Sequence, residues 1–382
     1  MLKKRFSIMH LLIALCFIFI ALVAGSFYFL RANISTIKSL MQITRTVNLI
    51  QTKFVGEADN DTLFAGALRG MVKELNDPYS TYLDKKEFAD LSTITEGHFG
   101  GVGIVLGKKD KSLIVVAPIE DTPAYRAGIK PGDIIEAIDG KSTLGEELSD
   151  VVKLIRGEDG TTVELTVRTK GAEPRIVRIV RSEIKIKSVS GEMKEGKIGF
   201  IRINSFNEDT AKDFGVKFRE LESKGMQGLV LDLRGNPGGL LQSGVGVAGY
   251  IVPKGPIVSI TEKNGRTTTE NSHLAAVKYP LAVLVDKGTA SASEIVAGAV
   301  QDTKAGKLFG TKTYGKGVVQ TVYRLSSDTA VKLTMAKYYT PNGRSIDGVG
   351  IEPDTVIEAT DDTGSNQLQA ALQYVAAQIN GK

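Results

Sequence analysis

Residues 229–239 read LVLDLRGNPGG, and this stretch decides the fold prediction for the second half of the chain. Its first five residues form a near-continuous apolar run, which is typical of a strand in a parallel sheet that is covered on both faces. A second such run, LAVLV, occupies residues 281–285. Strand and helix patterns alternate from residue 191 onward, which predicts an α/β fold. Both runs lead into loops rich in small residues, and open α/β sheets place their sites at such strand ends.

The loop after residues 281–285 carries a candidate nucleophile. Residues 289–294 read TASASE, and a helical run over residues 295–300 follows them. Ser291 therefore lies near the start of a helix, where unpaired N–H groups can receive a developing oxyanion. Spacing alone equally allows Ser291 to be a helix cap, a role for which Ser293 and Glu294 compete.

A lysine in the next loop is the candidate base. Lys316 lies between two glycines in YGKGVVQ, residues 314–320. Enclosure among small and apolar residues disfavours an ammonium ion, and the resulting neutral amine can take a proton from a hydroxyl. The chain has three histidines, at positions 10, 98 and 273, and none has a setting that suits catalysis. A surface lysine is the alternative, but the strand-like run after the loop predicts that the loop is anchored to a sheet.

A separate β-rich module is predicted over residues 96–182. Its Gly-rich turn, FGGVGIV at residues 99–105, leads into a strand, and the turn's backbone N–H groups at Gly101, Val102, Gly103 and Ile104 suit a terminal carboxylate. The turn AGIKPGD at residues 127–133 and a helix over residues 148–155 follow. This order resembles a PDZ domain, which binds extended C-termini by adding a strand to a sheet edge. A rigid spacer without a ligand is the alternative.

Arg156 closes the helix of this module. Two roles remain open for it: to complement the negative end of the helix, or to link an occupied PDZ domain to the catalytic site as a regulatory residue.

The N-terminal segment predicts a membrane anchor. Residues 6–30 are almost wholly apolar and follow the basic triplet KKR at residues 3–5, so the run can span a bilayer with its N-terminus in the cytoplasm. A cleavable signal peptide is the alternative, since AGS at residues 24–26 offers a cleavage site. Residues 34–88 then show a helical pattern with a cap at residues 61–62. These helices either pack on the body or form a homo-oligomer.

Composition excludes several classes of function. The formal net charge is +5, but acidic and basic residues are mixed throughout and no aromatic and basic platform occurs, so no nucleic-acid partner is expected. The single cysteine lies at position 16, inside the apolar run, which leaves no disulfide or thiol nucleophile for an exported body. The sequence has no cluster of metal-ligand residues, so neither a metal nor an organic cofactor is expected.

These ordered motifs resemble those of the carboxyl-terminal processing peptidases, serine proteases that use a Ser-Lys dyad. The resemblance covers roughly residues 40–380 and also includes NDPYSTYL, YTPNGR and GIEPD, at residues 76–83, 339–344 and 350–354. It implies a protease domain with a crotonase-like or tricorn-core-like α/β fold. By motif position, it makes Ser291 the nucleophile, Lys316 the general base and Gln320 the residue that orients Lys316. It also assigns the oxyanion hole to the backbone amides of Gly239 and Ala292.

The expected organisation has five segments. They are a transmembrane signal-anchor at 1–33, a helical region at 34–95, the PDZ domain at 96–182, the protease domain at 183–360 and a C-terminal helix at 361–382. The expected function is that of a single-pass membrane endopeptidase with its catalytic part outside the cytoplasm, in the periplasm or extracellular space. Its substrates would be proteins or peptides with free C-termini.

Two other classes of function remain open from the sequence. One is a non-catalytic PDZ adaptor at the membrane, which the intact Ser291, Lys316 and Gln320 argue against. The other is an acyl-CoA enzyme, whose sheet also uses Gly-rich oxyanion loops. A PDZ domain in an exported body argues against it.

Overall fold

A computed structural model describes residues 15, 34, 36–109 and 111–381. The chain divides into two compact units, Met1–Tyr82 and Leu83–Lys382. The predicted transmembrane anchor at 1–33 lies outside the described residues except for Leu15. Within the described ranges, none of the helices has the length and apolar character needed to cross a membrane.

The first unit is mostly helical, with α1 over residues 36–53 and α2 at Asn60–Lys73. Asp59 caps α2, because its Oδ2 accepts the N–H of Thr62 at 2.8 Å. The cap predicted at residues 61–62 is therefore wrong by two positions. The helical pattern predicted up to residue 88 is also interrupted, by strand β1 (Thr81–Leu83). Pro78 explains the interruption, since proline lacks an N–H and disfavours a helix at the residue before it.

The second unit begins with α3 (Lys85–Glu96) and a six-stranded antiparallel sheet in the order β3-β4-β5-β7-β8, with β6 paired to β5 outside this order. Strand β7 alternates buried and less buried residues, and its buried side chains pack into an apolar core together with Val151 and Ile155 of helix α5. Helix α5 spans the residues that the sequence predicted. The elements are β2 (His98–Gly101), β3 (Ile104–Lys109), β4 (Ser112–Pro118), α4 (Pro123–Arg126), β5 (Ile134–Ile138), β6 (Lys141–Ser142), α5 (Leu148–Ile155), β7 (Thr162–Arg168), β8 (Arg175–Val180) and β9 (Ser182–Lys185).

An α/β body follows, built on a six-stranded sheet in the order β10-β11-β12-β15-β16-β19. All neighbouring strands from β11 onward are parallel, and β10 is an antiparallel edge. The elements are β10 (Val189–Lys194), β11 (Ile198–Ile203), α6 (Thr210–Ser223), β12 (Gly228–Asp232), α7 (Leu241–Ala248), β13 (Gly255–Glu262), β14 (Thr267–Ser272), β15 (Leu281–Val285), α8 (Ala292–Asp302), β16 (Lys307–Gly310), β17 (Val318–Arg324), β18 (Ala330–Tyr339), β19 (Thr355–Val356) and α9 (Ser365–Asn380), with a 3₁₀ turn at Glu195–Lys197.

The two apolar runs of the sequence are the central strands β12 and β15, and every residue of both is buried. Leu229 and Leu231 face the core that includes α6, α7 and α8, whereas Val230 faces the core that includes α9. Helices thus cover both faces of the sheet, which is why these strands do not alternate apolar and polar residues. The mixed α/β architecture predicted from residues 229–239 is confirmed.

A second, antiparallel sheet carries the segment after Lys316. Strand β17 pairs with β18, β18 with β13, and β13 with β14. The pairing of β17 with β18 shifts register between Val319 and Gln320. The lysine loop is therefore continuous with a paired strand, as the sequence indicated.

Candidate active site

The loops after β12 and β15 lie side by side, because parallel neighbours end at the same edge of the sheet. The N–H of Ala290 and the hydroxyl of Ser293 both donate to the Asn236 carbonyl, at 3.0 and 3.1 Å. The N–H of Gly235 donates to Asp286 Oδ1 at 2.9 Å. The Gly-rich loop and the serine loop are thus fixed to each other by hydrogen bonds.

Ser291 occupies a strained turn between β15 and α8. Its backbone angles are φ 55° and ψ −117°, at the residue just before the first turn of α8. A positive φ is unfavourable for a residue with a Cβ, and such strain persists only where the surroundings hold it. The neighbouring N-terminal end of α8 supplies backbone N–H groups and a partial positive charge.

Glu294 is the residue that holds the serine and lysine loops together. Its side chain is completely buried. Its Oε2 accepts the N–H groups of Ser291 and Lys316, each at 2.9 Å. Its Oε1 accepts the N–H of Gly315 at 2.7 Å and the hydroxyl of Thr313 at 2.6 Å. An ionised carboxylate only accepts hydrogen bonds, and four donors occupy this one.

The sequence placed Glu294 only as a competitor for the helix cap. It is a cap in part, since it binds the N–H of Ser291, but its other three partners belong to residues 313–316. In the sequence, its capping role is indicated by its position three residues after Ser291, as in a capping box. Nothing in local spacing reveals the contact with the lysine loop.

The loop around Lys316 requires its two glycines. Gly315 has φ 90°, and a Cβ there would lie 2.8 Å from the N atom of Gly350. A Cβ on Gly317 would lie 2.5 Å from the N atom of Asp347. The segment around residues 346–350 therefore packs directly on the lysine loop, which leaves no room for side chains on either side of Lys316.

Gln320 lies on β17 with its side chain half-buried, and its Nε2 donates to the Val318 carbonyl at 3.4 Å. The role predicted for it, orienting Lys316, stays a prediction. So do the roles of Ser291 as nucleophile and Lys316 as base, although the structure brings their backbones to one carboxylate.

The predicted oxyanion loop is shaped by Gly238 and Gly239. Gly239 has φ 142°, and a Cβ there would lie 2.0 Å from the Phe206 carbonyl oxygen. The N–H of Phe206 donates to the Gly238 carbonyl and the N–H of Leu240 to the Phe206 carbonyl, at 2.9 and 2.7 Å. This short parallel bridge is formed by the Gly238 carbonyl and the Leu240 N–H, and the Gly239 N–H takes no part in it.

Gly238 faces the other half of the predicted hole. Its φ is 95°, and a Cβ there would lie 2.8 Å from Ser291 Cβ and 2.9 Å from the N atom of Ala292. The absence of a side chain at Gly238 therefore keeps open the space in front of the Ala292 amide. Use of the Gly239 and Ala292 amides as oxyanion donors is consistent with this shape and stays a prediction.

Asp232 and Arg234, which the sequence assigned to structural contacts, tie the end of β12 to α9. Arg234 binds the completely buried Asp232 carboxylate through Nε and Nη2, at 2.9 and 2.8 Å. Its Nη1 donates to the Gly364 carbonyl and to Gln367 Oε1, at 2.8 and 3.0 Å. Burial works against the charge of Arg234, but hydrogen bonds and attraction from Asp232 raise its pKa above the ordinary value.

The predicted carboxylate loop lies between β2 and β3. Val102 is completely buried, and its carbonyl accepts the N–H of Ala124 at 2.9 Å. Gly103 has φ 78°, which favours glycine, and its carbonyl accepts the N–H of Ile119 at 2.9 Å. Both carbonyls are thus turned into the domain. Gly101 ends β2 and Ile104 starts β3, and carboxylate binding by this loop stays a prediction.

Arg156 is the C-cap residue of α5, and both roles considered for it stay predictions. Arg181 donates to the carbonyls at the end of α5, those of Ile155 and Leu154, at 2.9 and 2.8 Å. The Arg156 guanidinium lies 4.7 Å from the centre of the Phe99 ring, and its Nη1 is 3.5 Å from Thr93 Oγ1 of helix α3. Arg181 is the residue after β8, so its role is not visible in the local sequence pattern around α5.

Three family models match parts of this chain. The model of peptidase family S41 matches residues 197–357, the PDZ domain model matches residues 114–169, and the model "Activating protease CtpB N-terminal domain" matches residues 30–87. The chain is 39% identical to the carboxy-terminal processing protease CtpB of Bacillus subtilis (strain 168), over 87% of this chain and 70% of that protein. The chain belongs to the carboxyl-terminal processing proteases of family S41.

Further relatives support the same assignment. The chain is 37% identical to a probable CtpA-like serine protease of Staphylococcus aureus (strain N315), over 93% of this chain and 73% of that protein. A putative S41 protease from Bacteroides fragilis NCTC 9343 shares the fold, with a TM-score of 0.51 at 16% identity over 86% of this chain and 96% of that one. The predicted family, the PDZ domain and a serine-type peptidase activity are thereby confirmed.

Proposed function

We propose that this chain is a C-terminal processing endopeptidase that uses Ser291 and Lys316 as a catalytic dyad. The observation that carries the proposal is the buried Glu294 carboxylate, which binds the backbone N–H groups of both residues at 2.9 Å. A buried carboxylate that accepts hydrogen bonds from two loops fixes the position of one loop relative to the other. These two loops contain the side chains that a Ser-Lys protease needs.

In the proposed mechanism, Lys316 Nζ takes the proton of the Ser291 hydroxyl while Oγ attacks the carbonyl carbon of the scissile bond. The amides of Gly239 and Ala292 donate to the oxyanion. The protonated Lys316 then gives its proton to the leaving amine, and water hydrolyses the acyl-enzyme by the reverse sequence of transfers. Gln320 orients the amine without adding a negative charge, which would favour the ammonium form. Neither a metal nor an organic cofactor takes part.

The dyad is tested by Ser291→Ala and Lys316→Ala, each of which should abolish peptide cleavage and labelling by a serine-directed phosphonate. The double variant should be little worse than either single one, because such groups act as a unit. Lys316→Arg should be equally inactive, since a guanidinium stays protonated. Lys312→Ala is the matched control, because its side chain is half-exposed in the same loop. Retention of more than a few per cent of activity in Lys316→Ala would refute the base assignment.

The PDZ domain is proposed to bind the free C-terminus of the substrate. The backbone at residues 101–104 would hold the carboxylate, and the apolar surface between β3 and α5 would take the last side chain. Ile104 and Leu106 of β3 are partly buried and pack against the apolar core that contains Val151 and Ile155 of α5. A peptide with an apolar C-terminus should therefore bind, and its amidated form should bind much more weakly.

Regulation by the PDZ domain is proposed to pass through Arg156. Its guanidinium reaches Thr93 of α3, and the carbonyl of Thr95, two residues on, accepts the N–H of Glu208 at 3.1 Å. Glu208 is two residues from Phe206, which binds the oxyanion loop. Occupancy of the PDZ domain can thus act on the catalytic site through packed elements.

Arg156→Ala separates regulation from tethering. If Arg156 couples the sites, the variant should lose the rate increase that a free-acid peptide gives for cleavage of a second, short substrate, and should keep peptide affinity. Arg178→Ala, on an exposed part of the same domain, is the control. Equal stimulation of the Arg156 variant and the intact protein would show that the coupling does not pass through Arg156, and no stimulation of the intact protein would show that the PDZ domain only tethers.

The location proposed is the cell membrane, with the catalytic part periplasmic or extracellular. Support comes from the apolar run at residues 6–30 behind a basic leader. In fractionated cells the full chain should pellet with membranes and be digested by externally added protease, whereas a chain without residues 1–33 should do neither. A full chain recovered in the cytosolic fraction would contradict the proposal.

A further inference from the structure

The hydroxyl of Tyr338 lies at the junction of the serine and lysine loops. Tyr338 is in β18, and its side chain is almost completely buried. The hydroxyl is in hydrogen-bond contact with the carbonyl oxygen of Lys316 and lies 3.1 Å from the carbonyl oxygen of Ser291. The N–H of Tyr338 also donates to the Gly317 carbonyl at 3.0 Å. One residue therefore contacts both loops.

Tyr338 and Glu294 contact opposite polar groups of the same two residues. Glu294 accepts the N–H of Ser291 and the N–H of Lys316. Tyr338 binds the carbonyl of each. The phenol has one proton, which the two carbonyl oxygens share, and both oxygens therefore face the same point.

This arrangement fixes the backbone angles of both residues. The N–H and the carbonyl of one residue belong to the two rigid peptide planes that flank it. When both planes are held, φ and ψ are set, and so is the direction of the Cα–Cβ bond. At Ser291 the angle held is a positive φ of 55°, which a serine would not keep without support.

We propose that Tyr338 is a positioning residue that sets the Ser291 and Lys316 side chains at the separation needed for proton transfer. This inference rests on the proposed dyad. Proton transfer between the two side chains requires a hydrogen-bond distance, and a shift of about 1 Å costs roughly a hundredfold in rate. Without the hydroxyl, the peptide planes that follow Ser291 and Lys316 lose a shared contact. The positions of the two side chains relative to each other are then less well fixed.

Tyr338→Phe is the direct test, because it removes the hydroxyl and keeps the ring. We expect kcat to fall roughly tenfold to a hundredfold, in line with a displacement of up to about 1 Å. KM for a short peptide should change less than twofold, and affinity of the PDZ domain for a free-acid peptide should not change. Phosphonate labelling of Ser291 should slow by the same factor as kcat. Tyr339→Phe, one residue along the strand and on its other face, is the matched control and should keep wild-type kcat.

A second variant covers the case in which phenylalanine prevents folding. Incorporation of 4-aminophenylalanine in place of Tyr338 restores N–H donors at the same site and should recover at least half of the lost kcat. A folded 4-aminophenylalanine variant with the low kcat of a hydroxyl deletion would overturn the inference. So would a Tyr338→Phe variant with wild-type kcat, or one whose loss lies wholly in KM.

The same assays separate this inference from the dyad itself. If Ser291→Ala or Lys316→Ala stays active, the dyad is wrong, and the role of Tyr338 falls with it. If both are inactive while Tyr338→Phe and the intact protein have equal kcat, the dyad stands and the positioning role is refuted.

Discussion

Replacement of Glu294 tests whether the two loops depend on one carboxylate. In Glu294→Gln the amide oxygen can replace Oε2, which keeps the hydrogen bonds from Ser291 and Lys316. The amide NH₂ then faces the hydroxyl of Thr313, which can turn and accept, and the N–H of Gly315, which cannot. One buried N–H loses its acceptor, so the free energy of unfolding should fall by about 1–3 kcal/mol.

Glu294→Ala removes every acceptor at this point. Three N–H groups lose their partner, that of Gly315 buried and those of Ser291 and Lys316 partly buried, and at about 1–3 kcal/mol each the loss is at most roughly 3–9 kcal/mol. That is comparable with the whole stability of a typical domain, so the alanine variant should be largely unfolded or should have separated loops.

Urea unfolding and peptide cleavage distinguish these variants. The glutamine variant should fold and keep reduced activity, and the alanine variant should be inactive. Glu352→Gln is the control, because its side chain is mostly exposed, and its stability should change by less than about 0.5 kcal/mol. Equal stability of the glutamine and alanine variants would show that the loss of stability does not follow the number of N–H groups left without an acceptor. Wild-type activity in Glu294→Ala would show that the loops do not need the carboxylate.

Three further results are expected. Gly239→Ala should abolish activity, because the new Cβ would lie 2.0 Å from the Phe206 carbonyl oxygen and displace the loop; unchanged kcat would contradict this. Gln320→Glu should shift the rise of kcat to higher pH, since a carboxylate near Lys316 favours the ammonium form. An unchanged pH profile would show that Gln320 does not contact Lys316. Hydrogen bonds from Lys217 of α6 and from Lys224, the residue after this helix, lower the pKa of Glu220 from 4.5 to about 2. The stabilisation is therefore complete above about pH 4.5 and lost as the pH falls through about 2, and the melting-temperature difference from Glu220→Gln should vanish over that interval.

Strands and helices of the body were predictable because burial leaves a pattern in the sequence. The runs at residues 229–233 and 281–285 are apolar throughout because helices cover both faces of β12 and β15. The helix over residues 148–155 was predicted with its observed bounds. The cap of α2 was misplaced, because Asp59 and Asp61 are equally good caps by residue type and only the hydrogen bond to Thr62 distinguishes them.

The contacts that organise the candidate site were less visible, because they join residues far apart in the chain. Glu294 follows Ser291 by three positions but binds the N–H of Lys316 in another loop. Arg181, the residue after β8, binds the carbonyls at the end of α5, which lies more than 20 residues earlier in the chain. Periodicity and capping preferences describe neighbours within about one helical turn, and these partners lie well beyond that range.

This difference explains which residues of the site a motif can reveal. Ser291 and Lys316 stand out because the chemistry proposed for them requires a particular residue type among small neighbours. Glu294 and Tyr338 bind backbone groups. Since nearly every residue has a backbone N–H and a carbonyl, the residue types of their partners do not reveal the contact. Their importance follows only from geometry: one accepts from the N–H groups, and the other donates to the carbonyls, of the same two residues. Residues that position a catalytic pair through its backbone must therefore be sought in the hydrogen bonds of the folded chain.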